Sequence, residues 1–145
     1  LAGEVNTDMP EHVINCVAEA LNTHRKPVKG SRVLVLGLAY KSNVDDDRES
    51  PGYTLMEKLK QRGAKAFYYD PYVFEIGLTR KHPHWAGVRS VEWAREMIAS
   101  FDATLISTAH DAMNYRELAD WSPLIIDTRN AMQRTKTRPG QVWKA

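Results

Sequence analysis

Residues 31–37, with the sequence SRVLVLG, form a nearly continuous apolar run in which branched side chains predominate. A strand with one face in water alternates polar and apolar residues, so this run predicts a strand that is buried on both faces. Both faces of a sheet are covered when helices connect parallel strands. The segment therefore indicates an α/β fold in which it is a central parallel strand.

Further strands and helices alternate along the rest of the chain. The segments predicted as strands are residues 64–69, 102–108 and 124–127, with residues 141–143 as an edge strand or a docking segment. The segments predicted as helices, from apolar residues at steps of three and four, are residues 10–24, 51–62, 91–98 and 115–121. Residues 72–89 are predicted to be a surface excursion with at most short regular pieces. This order predicts a Rossmann-like, open and mostly parallel sheet with flanking helices.

The first predicted helix stands outside this alternation, which indicates that it joined another domain. Pro10 is expected in its first turn, where the missing N–H of proline costs no hydrogen bond, and Pro27 stops it. Cys16 lies beside its apolar stripe and is predicted to be a small, buried or half-buried thiol. No basic neighbour is present to activate this thiol.

Length, composition and net charge exclude several classes of protein. A chain of 145 residues with 43% hydrophobic and 26% charged residues is expected to fold as one compact unit. Its net charge of +2 is too small for the basic surface of a nucleic-acid-binding protein. No apolar stretch approaches the roughly 20 residues that cross a bilayer, and no signal-peptide pattern opens the chain, so we expect a cytoplasmic protein without a membrane partner. The single cysteine excludes an internal disulfide, and the start at Leu1, without an initiator Met, indicates a fragment.

Candidate ligand-binding residues follow the strand ends, because ligands of open α/β sheets bind beyond the carboxyl ends of the strands. Lys41 and Arg129 are the basic residues that lie shortly after a predicted strand. A lysine point charge and a forked guanidinium are the usual partners of a diphosphate. Each residue alone would be interpreted as a solvated surface charge, but together they predict a phosphate-bearing ligand.

A complete dinucleotide site is not expected on this chain. Gly37 is followed by Leu38, Ala39 and Tyr40, so the Gly-x-Gly-x-x-Gly pattern of NAD-binding strands is missing. Asp70 stands where a ribose-binding acid would stand. Without those glycines, we interpret Asp70 as a structural turn residue or cap.

The remaining chemistry-bearing residues do not form a recognisable catalytic or metal site. The acids at positions 45–47 are interpreted as loop charges with basic neighbours as counter-ions, since calcium-loop spacing is missing. His82 and His84 lack the cysteines or acids of a metal site. His110 follows a predicted strand but has no nucleophile at a recognisable spacing, so we interpret it as a structural or wall residue.

One longer segment carries a family resemblance. Residues 37–51, with the sequence GLAYKSNVDDDRESP, closely resemble the signature at the start of the C-terminal UDP-binding domain of the UDP-glucose/GDP-mannose dehydrogenase family. Shorter matches follow in the order of that family, at residues 6–13, 69–71, 102–108 and 127–130. The resemblance covers nearly the whole chain. It implies that residues 28–145 are the UDP-sugar-binding domain and that residues 1–27 are the end of a central linking and dimerisation helix.

The resemblance also implies an activity and a role for several residues. The complete enzymes of this family are homodimers that oxidise the C6 hydroxyl of a nucleotide sugar to a carboxylate, with NAD and a covalent cysteine intermediate. Tyr40, Lys41 and Arg129 are then expected to contact the UDP-sugar substrate, and Arg48 to reach NAD held mainly by an N-terminal domain. The catalytic cysteine of the family lies upstream of the residues present here, so this chain is expected to contain no catalytic residue.

The resemblance says less about which sugar is bound. Other functions also remain open. Residues 127–132 look more like those of dehydrogenases of UDP-N-acetylated hexosamines, UDP-N-acetylglucosamine above all, than those of UDP-glucose. The alternative function is a non-enzymatic nucleotide-binding or dimerisation module that keeps the loop motif for its architecture. A small phosphatase or transferase would require a nucleophile that the sequence does not show.

Overall fold

The computed structural model describes residues 2–39, 50–78 and 82–145, with side chains from residue 9 onward within these ranges. The helices are α1 (Ala2–Thr23), α2 (Pro51–Gln61), α3 (Arg95–Ala99) and α4 (Tyr115–Trp121), and a 3-10 helix spans Pro83–Trp85. The strands are β1 (Arg32–Leu36), β2 (Lys65–Tyr69), β3 (Ala103–Ile106), β4 (Ile125–Asp127) and β5 (Val142–Lys144). Within the described ranges, no helix has both the length and the hydrophobicity needed to cross a membrane.

The five strands form one parallel sheet in the order β2-β1-β3-β4-β5. Leu36 at the end of β1 is in register with Tyr69 of β2 on one side and Ile106 of β3 on the other. The chain passes from β1 to β2, then crosses back to β3 and continues in the opposite direction. The strand order therefore reverses between β1 and β3. The predicted Rossmann-like sheet is confirmed, and residues 141–143, which the sequence left open, contribute to the edge strand β5.

Side chains of β1 alternate between two cores, one on each face of the sheet. Val33 and Val35 pack with apolar residues of α1 and α2, whereas Leu34 and Leu36 pack with residues of α3 and α4. All four side chains are fully buried. The absence of polar alternation in this strand is thus explained by helices on both faces.

Helix α1 begins earlier than the sequence predicts. Pro10 was expected in its first turn, but the helix extends from Ala2 and contains Pro10 in its interior. A proline inside a helix removes one hydrogen bond and can kink the helix, yet the preceding residues keep helical backbone here. The predicted apolar face, which included Met9, is confirmed except at that residue, which is 44% exposed. The other members are buried against the sheet: Val13, Ile14, Val17, Ala20 and Leu21.

Helix α2 begins and ends where its sequence signals predict. The Ser50 hydroxyl accepts a hydrogen bond of 3.1 Å from the Gly52 N–H, and Pro51 occupies the first helical position. Gly63 follows the helix with a φ of 89°, a conformation that favours glycine. In the sequence, α2 directly follows residues 40–49, the segment that carries Tyr40, Lys41 and Arg48.

The connection from β2 to β3 differs from the prediction in two places. Residues 72–89 were predicted to be a surface excursion, but Val73, Ile76 and Trp85 are 5%, 1% and 7% exposed, so the segment reaches the core at these three residues. Helix α3 begins at Arg95 rather than near residue 91. The Val91 N–H donates to the Tyr68 carbonyl oxygen at 2.9 Å, and Ala94, directly before α3, has an extended backbone with a φ of −145° and a ψ of 150°.

Candidate functional site

The candidate site lies at the carboxyl edge of the sheet, beyond the ends of β1 and β3. In a sheet of this strand order, the ligand crevice is expected between these two strands, because their connections leave in opposite directions. The described segments at this edge include residues 37–39, 50–53, 70–72, 107–111 and 127–132.

Gly37 allows the ends of β1 and β3 to approach each other closely. Its φ is 88°, and a Cβ added to it would lie 2.1 Å from the Thr108 carbonyl oxygen. A side chain at this position would therefore be strained and would collide with backbone. Across the contact, the Thr108 hydroxyl donates a hydrogen bond of 2.9 Å to the Ala39 carbonyl oxygen. The two strand ends are thus joined by close packing and by a buried hydrogen bond.

Asp70 binds the backbone that follows β1. The residue is 2% exposed, and its Oδ2 accepts hydrogen bonds from the N–H groups of Leu38 at 2.7 Å and Ala39 at 2.9 Å. Its Oδ1 accepts a further bond of 2.7 Å from the Tyr72 N–H. The prediction that Asp70 is a structural turn residue is confirmed.

The contacts of Asp70 also bear on whether a dinucleotide fits here. In a dinucleotide-binding strand, backbone N–H groups after the first strand face the pyrophosphate. Here the N–H groups of Leu38 and Ala39 are occupied by a carboxylate of the protein itself. The described residues after β1, residues 37–39, therefore do not form a dinucleotide cradle.

His110 is the side-chain partner of Asp70. Both side chains are 0% exposed, and His110 Nε2 lies 2.9 Å from Asp70 Oδ2. Because that oxygen already accepts two backbone N–H groups, it is the acceptor and Nε2 is the donor. The Tyr72 ring lies edge-on to the imidazole, with 4.8 Å between the ring centroids. These contacts agree with the predicted structural role of His110.

Tyr115 holds the backbone of His110 in place. Its hydroxyl donates a hydrogen bond of 2.8 Å to the His110 carbonyl oxygen. Burial, together with the nearby carboxylates of Asp111 and Asp127, raises the pKa of Tyr115 to about 12. The hydroxyl therefore stays protonated near neutral pH and remains a donor.

Arg129 is placed at this edge by a turn built on Asp127. The Asp127 carboxylate accepts hydrogen bonds from the N–H groups of Arg129 at 2.9 Å, Ala131 at 3.1 Å and Met132 at 2.9 Å. The side chain of Arg129 is exposed, and its Nε donates to the Ser107 carbonyl oxygen at 2.9 Å. The guanidinium is thus held beside the end of β3, with part of it open to solvent.

Of the four residues predicted to bind ligand, the structure places Arg129 at the expected edge. Tyr40, Lys41 and Arg48 lie outside the described residues, so their roles remain predictions. Sequence reasoning missed that Asp70 and His110 form a pair. The available signal was that each follows a predicted strand, but their separation of 40 positions gives no pairing pattern.

Three further reactive side chains, Cys16, His82 and His84, contact groups other than Asp70, His110 and Arg129. Burial, with a smaller contribution from Glu19, raises the pKa of the Cys16 thiol, which agrees with the predicted unreactive cysteine. His84 pairs with Glu57, whereas His82 stacks on Tyr53 with 5.2 Å between ring centroids. Among the residues that the structure describes, no three His, Cys, Asp or Glu side chains form a group able to hold a metal ion.

Comparison with known proteins gives a consistent set of relatives. Residues 34–134 match the model of the UDP-glucose/GDP-mannose dehydrogenase family, UDP binding domain. The chain is 26% identical, over 99% of its length, to UDP-N-acetyl-D-mannosamine dehydrogenase of Methanococcus maripaludis, of which it covers 31%. It is 31% identical, over 92% of its length, to UDP-glucose 6-dehydrogenase of Haloferax volcanii, of which it covers 30%.

A similar fold occurs in solved structures. The structure of a UDP-D-ManNAc dehydrogenase from Pyrococcus horikoshii matches 97% of this chain with a TM-score of 0.76 at 24% identity, and the match covers 31% of that protein. An NDP-N-acetyl-D-galactosaminuronic acid dehydrogenase from Methanosarcina mazei matches 98% of this chain with a TM-score of 0.75 at 26% identity, over 30% of that protein. The chain therefore spans less than a third of the length of these proteins.

Proposed function

Because the chain belongs to the UDP-glucose/GDP-mannose dehydrogenase family, we propose that it is the nucleotide-sugar-binding domain of an NAD-dependent UDP-sugar 6-dehydrogenase. The complete enzyme oxidises the C6 hydroxyl of the sugar to a carboxylate. In this proposal residues 28–145 bind the UDP part of the substrate, and residues 1–27 are the end of a linking helix. The enzyme is a cytoplasmic homodimer.

The observation that carries this proposal is the position of Arg129. Its Nε bonds to the Ser107 carbonyl oxygen, which directs a forked cation to the carboxyl edge where the strand order reverses. A diphosphate accepts charge-assisted, bidentate hydrogen bonds from such a group. Tyr40 and Lys41 follow Ala39 directly in sequence, and we assign them to the same ligand. The phosphates are then bound by side chains, since Asp70 occupies the nearby backbone N–H groups.

NAD enters the proposal as a cofactor held by another domain. It supplies the oxidising chemistry when bound, and Arg48 is the residue of this chain assigned to contact it. The occupied N–H groups of Leu38 and Ala39 argue against a separate NAD site after β1. The role of this chain in the complete enzyme is therefore to bind and orient the substrate.

The sugar is proposed to be an N-acetylated hexosamine. Residues 127–132 favour this class, with UDP-N-acetylglucosamine as the first candidate. A UDP-N-acetyl-D-mannosamine dehydrogenase is among the relatives, and so is a UDP-glucose 6-dehydrogenase, which makes UDP-glucose the alternative. Assaying the complete enzyme with each UDP-sugar, and comparing kcat/KM, distinguishes these substrates.

Calorimetric titration of this chain with UDP, and separately with GDP, tests the nucleotide site. We expect UDP to bind, and we expect Arg129→Ala and Lys41→Ala each to weaken it about tenfold, since each removes a charge-assisted hydrogen bond. Arg62→Ala is the matched control, because it also removes an arginine side chain. Arg62 lies at the carboxyl end of α2, close to the start of β2 and therefore at the opposite edge of the sheet. Failure of the wild-type chain to bind millimolar UDP, or equal weakening by the control, would contradict the proposal.

A further inference from the structure

We infer that Asp70, Thr108 and His110 are positioning residues for UDP-sugar binding, because they fix the backbone from which the residues assigned to the ligand depart. We call these three side chains the buried polar cluster. The inference rests on the function proposed above, since it concerns how the UDP site is held in shape. It assigns no contact between the cluster and the ligand.

The cluster joins three strand ends at one point. Asp70 follows β2, whereas Thr108 and His110 follow β3. Asp70 and Thr108 both form hydrogen bonds to the backbone of residues 38–39, which follow β1. Ala39 is bound at both of its backbone polar groups. Its N–H donates to Asp70 Oδ2 at 2.9 Å, and its carbonyl oxygen accepts from the Thr108 hydroxyl at 2.9 Å. The peptide that leads directly into Tyr40 and Lys41 is therefore held from both sides.

The same cluster is connected to the support of Arg129. Ser107, whose carbonyl oxygen accepts the bond from Arg129 Nε, is the residue before Thr108. Fixing Thr108 against Ala39 therefore also fixes the separation between Ala39 and the carbonyl that orients the guanidinium. A diphosphate held between two cations is sensitive to that separation, because charge-assisted hydrogen bonds need well-placed donors.

A purely structural role does not account well for the chemistry of the cluster. Burying a carboxylate is unfavourable, and apolar residues of similar volume would stabilise a core as well or better. What the carboxylate adds is direction, since its oxygens accept two N–H groups after β1, the Tyr72 N–H and the His110 Nε2. It also occupies N–H groups that would otherwise attract an anion. Both effects act on where the phosphates bind.

The first test is UDP titration of variants at His110 and Thr108, with thermal melting as the measure of folding. His110→Phe keeps an aromatic ring and removes the donor to Asp70, and Thr108→Val removes the hydroxyl bond to Ala39 with little change of volume. We expect each to weaken UDP binding about fivefold at a temperature where the protein is folded. His110→Gln, whose amide N–H can donate to Asp70 Oδ2, is expected to restore most of the affinity.

Ser122→Ala is the matched control for loss of a buried hydroxyl. Ser122 is fully buried, and its hydroxyl donates to the Leu124 carbonyl oxygen at 3.0 Å, at the other end of β4. We expect this variant to lower the melting temperature and to leave the UDP affinity unchanged. If it weakened UDP binding as much as Thr108→Val, the effect would be one of general stability, and the inference would be wrong.

A double-mutant cycle with Lys41→Ala separates positioning from structure. If the cluster acts through Lys41, His110→Phe loses most of its effect on UDP affinity in the Lys41→Ala background. The same cycle with Arg129→Ala tests the route through the Ser107 carbonyl oxygen. An equal effect of His110→Phe in the wild-type, Lys41→Ala and Arg129→Ala backgrounds would overturn the inference. Should His110→Phe fail to fold, Thr108→Val takes its place in the same cycle.

The outcomes for this inference and for the proposed function are distinct. Normal UDP binding by His110→Phe and Thr108→Val, with weakened binding by Arg129→Ala, would reject the positioning role and leave the UDP site in place. No binding of UDP by the wild-type chain would reject both. Weakened binding by the cluster variants, rescue by His110→Gln and coupling to Lys41 would establish the role.

Discussion

The two ends of β1 are each held by an aspartate, but in different surroundings. At the amino end, Asp102 accepts hydrogen bonds from the Arg32 N–H at 2.8 Å and from Lys26 Nζ at 2.7 Å, with its side chain 24% exposed. At the carboxyl end, the fully buried Asp70 accepts two backbone N–H groups and His110 Nε2. If Asp102 were removed, water could form hydrogen bonds with its former partners. If Asp70 were removed, its buried partners would be left unpaired.

The glycines that flank β1 show the same contrast. Gly30 has a φ of 86°, and a Cβ added to it would meet nothing within 4 Å. Gly37 has nearly the same φ, 88°, but its added Cβ would lie 2.1 Å from backbone. The amino end of β1, at Gly30, is thus loosely packed, and the carboxyl end, at Gly37, is tightly packed. The tightly specified end is the one from which the proposed nucleotide site is built.

The largest expected difference between the two ends of β1 is in the free energy of unfolding that is lost when each aspartate is replaced by alanine. Asp70→Ala leaves buried N–H groups and an imidazole without their acceptor, so we expect a loss of about 4 kcal/mol in the free energy of unfolding. Asp102→Ala leaves groups that water can reach, and we expect a loss of about 1 kcal/mol. Urea denaturation of both variants beside the wild type measures the difference. Equal losses would show that the ends do not differ as described.

Alanine at the two glycines tests the packing contrast with a smaller expected effect. Both substitutions force a positive φ on a side chain, at a cost of about 1 kcal/mol. Gly37→Ala also requires backbone to move away from Thr108, so we expect a total loss of about 3 kcal/mol. Gly30→Ala is the control for the φ term alone. Thermal melting of the two variants gives the comparison, and a loss at Gly30 as large as at Gly37 would contradict the role assigned to the close contact.

Much of the fold could be predicted from the sequence because its signals are local. The apolar run of β1, the N-cap at Ser50 and the periodicity of α4 each depend on a few neighbouring residues. Helix starts were less predictable. Pro10 suggested the beginning of α1 but lies inside it, and α3 starts only after Ala94, whose backbone is extended. In neither case does the local sequence pattern mark the observed boundary.

The candidate site could be predicted only in part, for the same physical reason. Arg129 was found because a basic residue after a strand is a local signal, and the structure places it at the expected edge. The pairing of Asp70 with His110 depends on β1 lying between β2 and β3, which no spacing in the sequence specifies. The assignments of Tyr40, Lys41 and Arg48 remain predictions that the binding experiments test.

The pH dependence of stability is expected to show the amino end of β1 as the weaker contact. Burial alone would raise the pKa of Asp102, but hydrogen bonds from Lys26 and from the Arg32 N–H outweigh it and hold the pKa below its usual value of 3.8. A carboxyl group whose pKa is lowered by folding stabilises the folded state above its unfolded pKa. That contribution is lost as the pH falls through the lower, folded pKa.

Asp102→Asn isolates this contribution because it keeps an acceptor for the Arg32 N–H and removes the charge that faces Lys26. Since both groups of the ion pair are partly exposed, we expect the variant to be less stable by about 0.5 kcal/mol at pH 7. The difference should disappear as the pH falls through the lowered pKa of folded Asp102, where the wild-type carboxyl group also becomes protonated. Urea denaturation of both proteins between pH 7 and pH 2.5 measures it, and all other carboxyl groups cancel in the comparison. A difference that grew as the pH fell would mean that the Asp102 charge destabilises the folded state, and the amino end of β1 would then be held by packing alone.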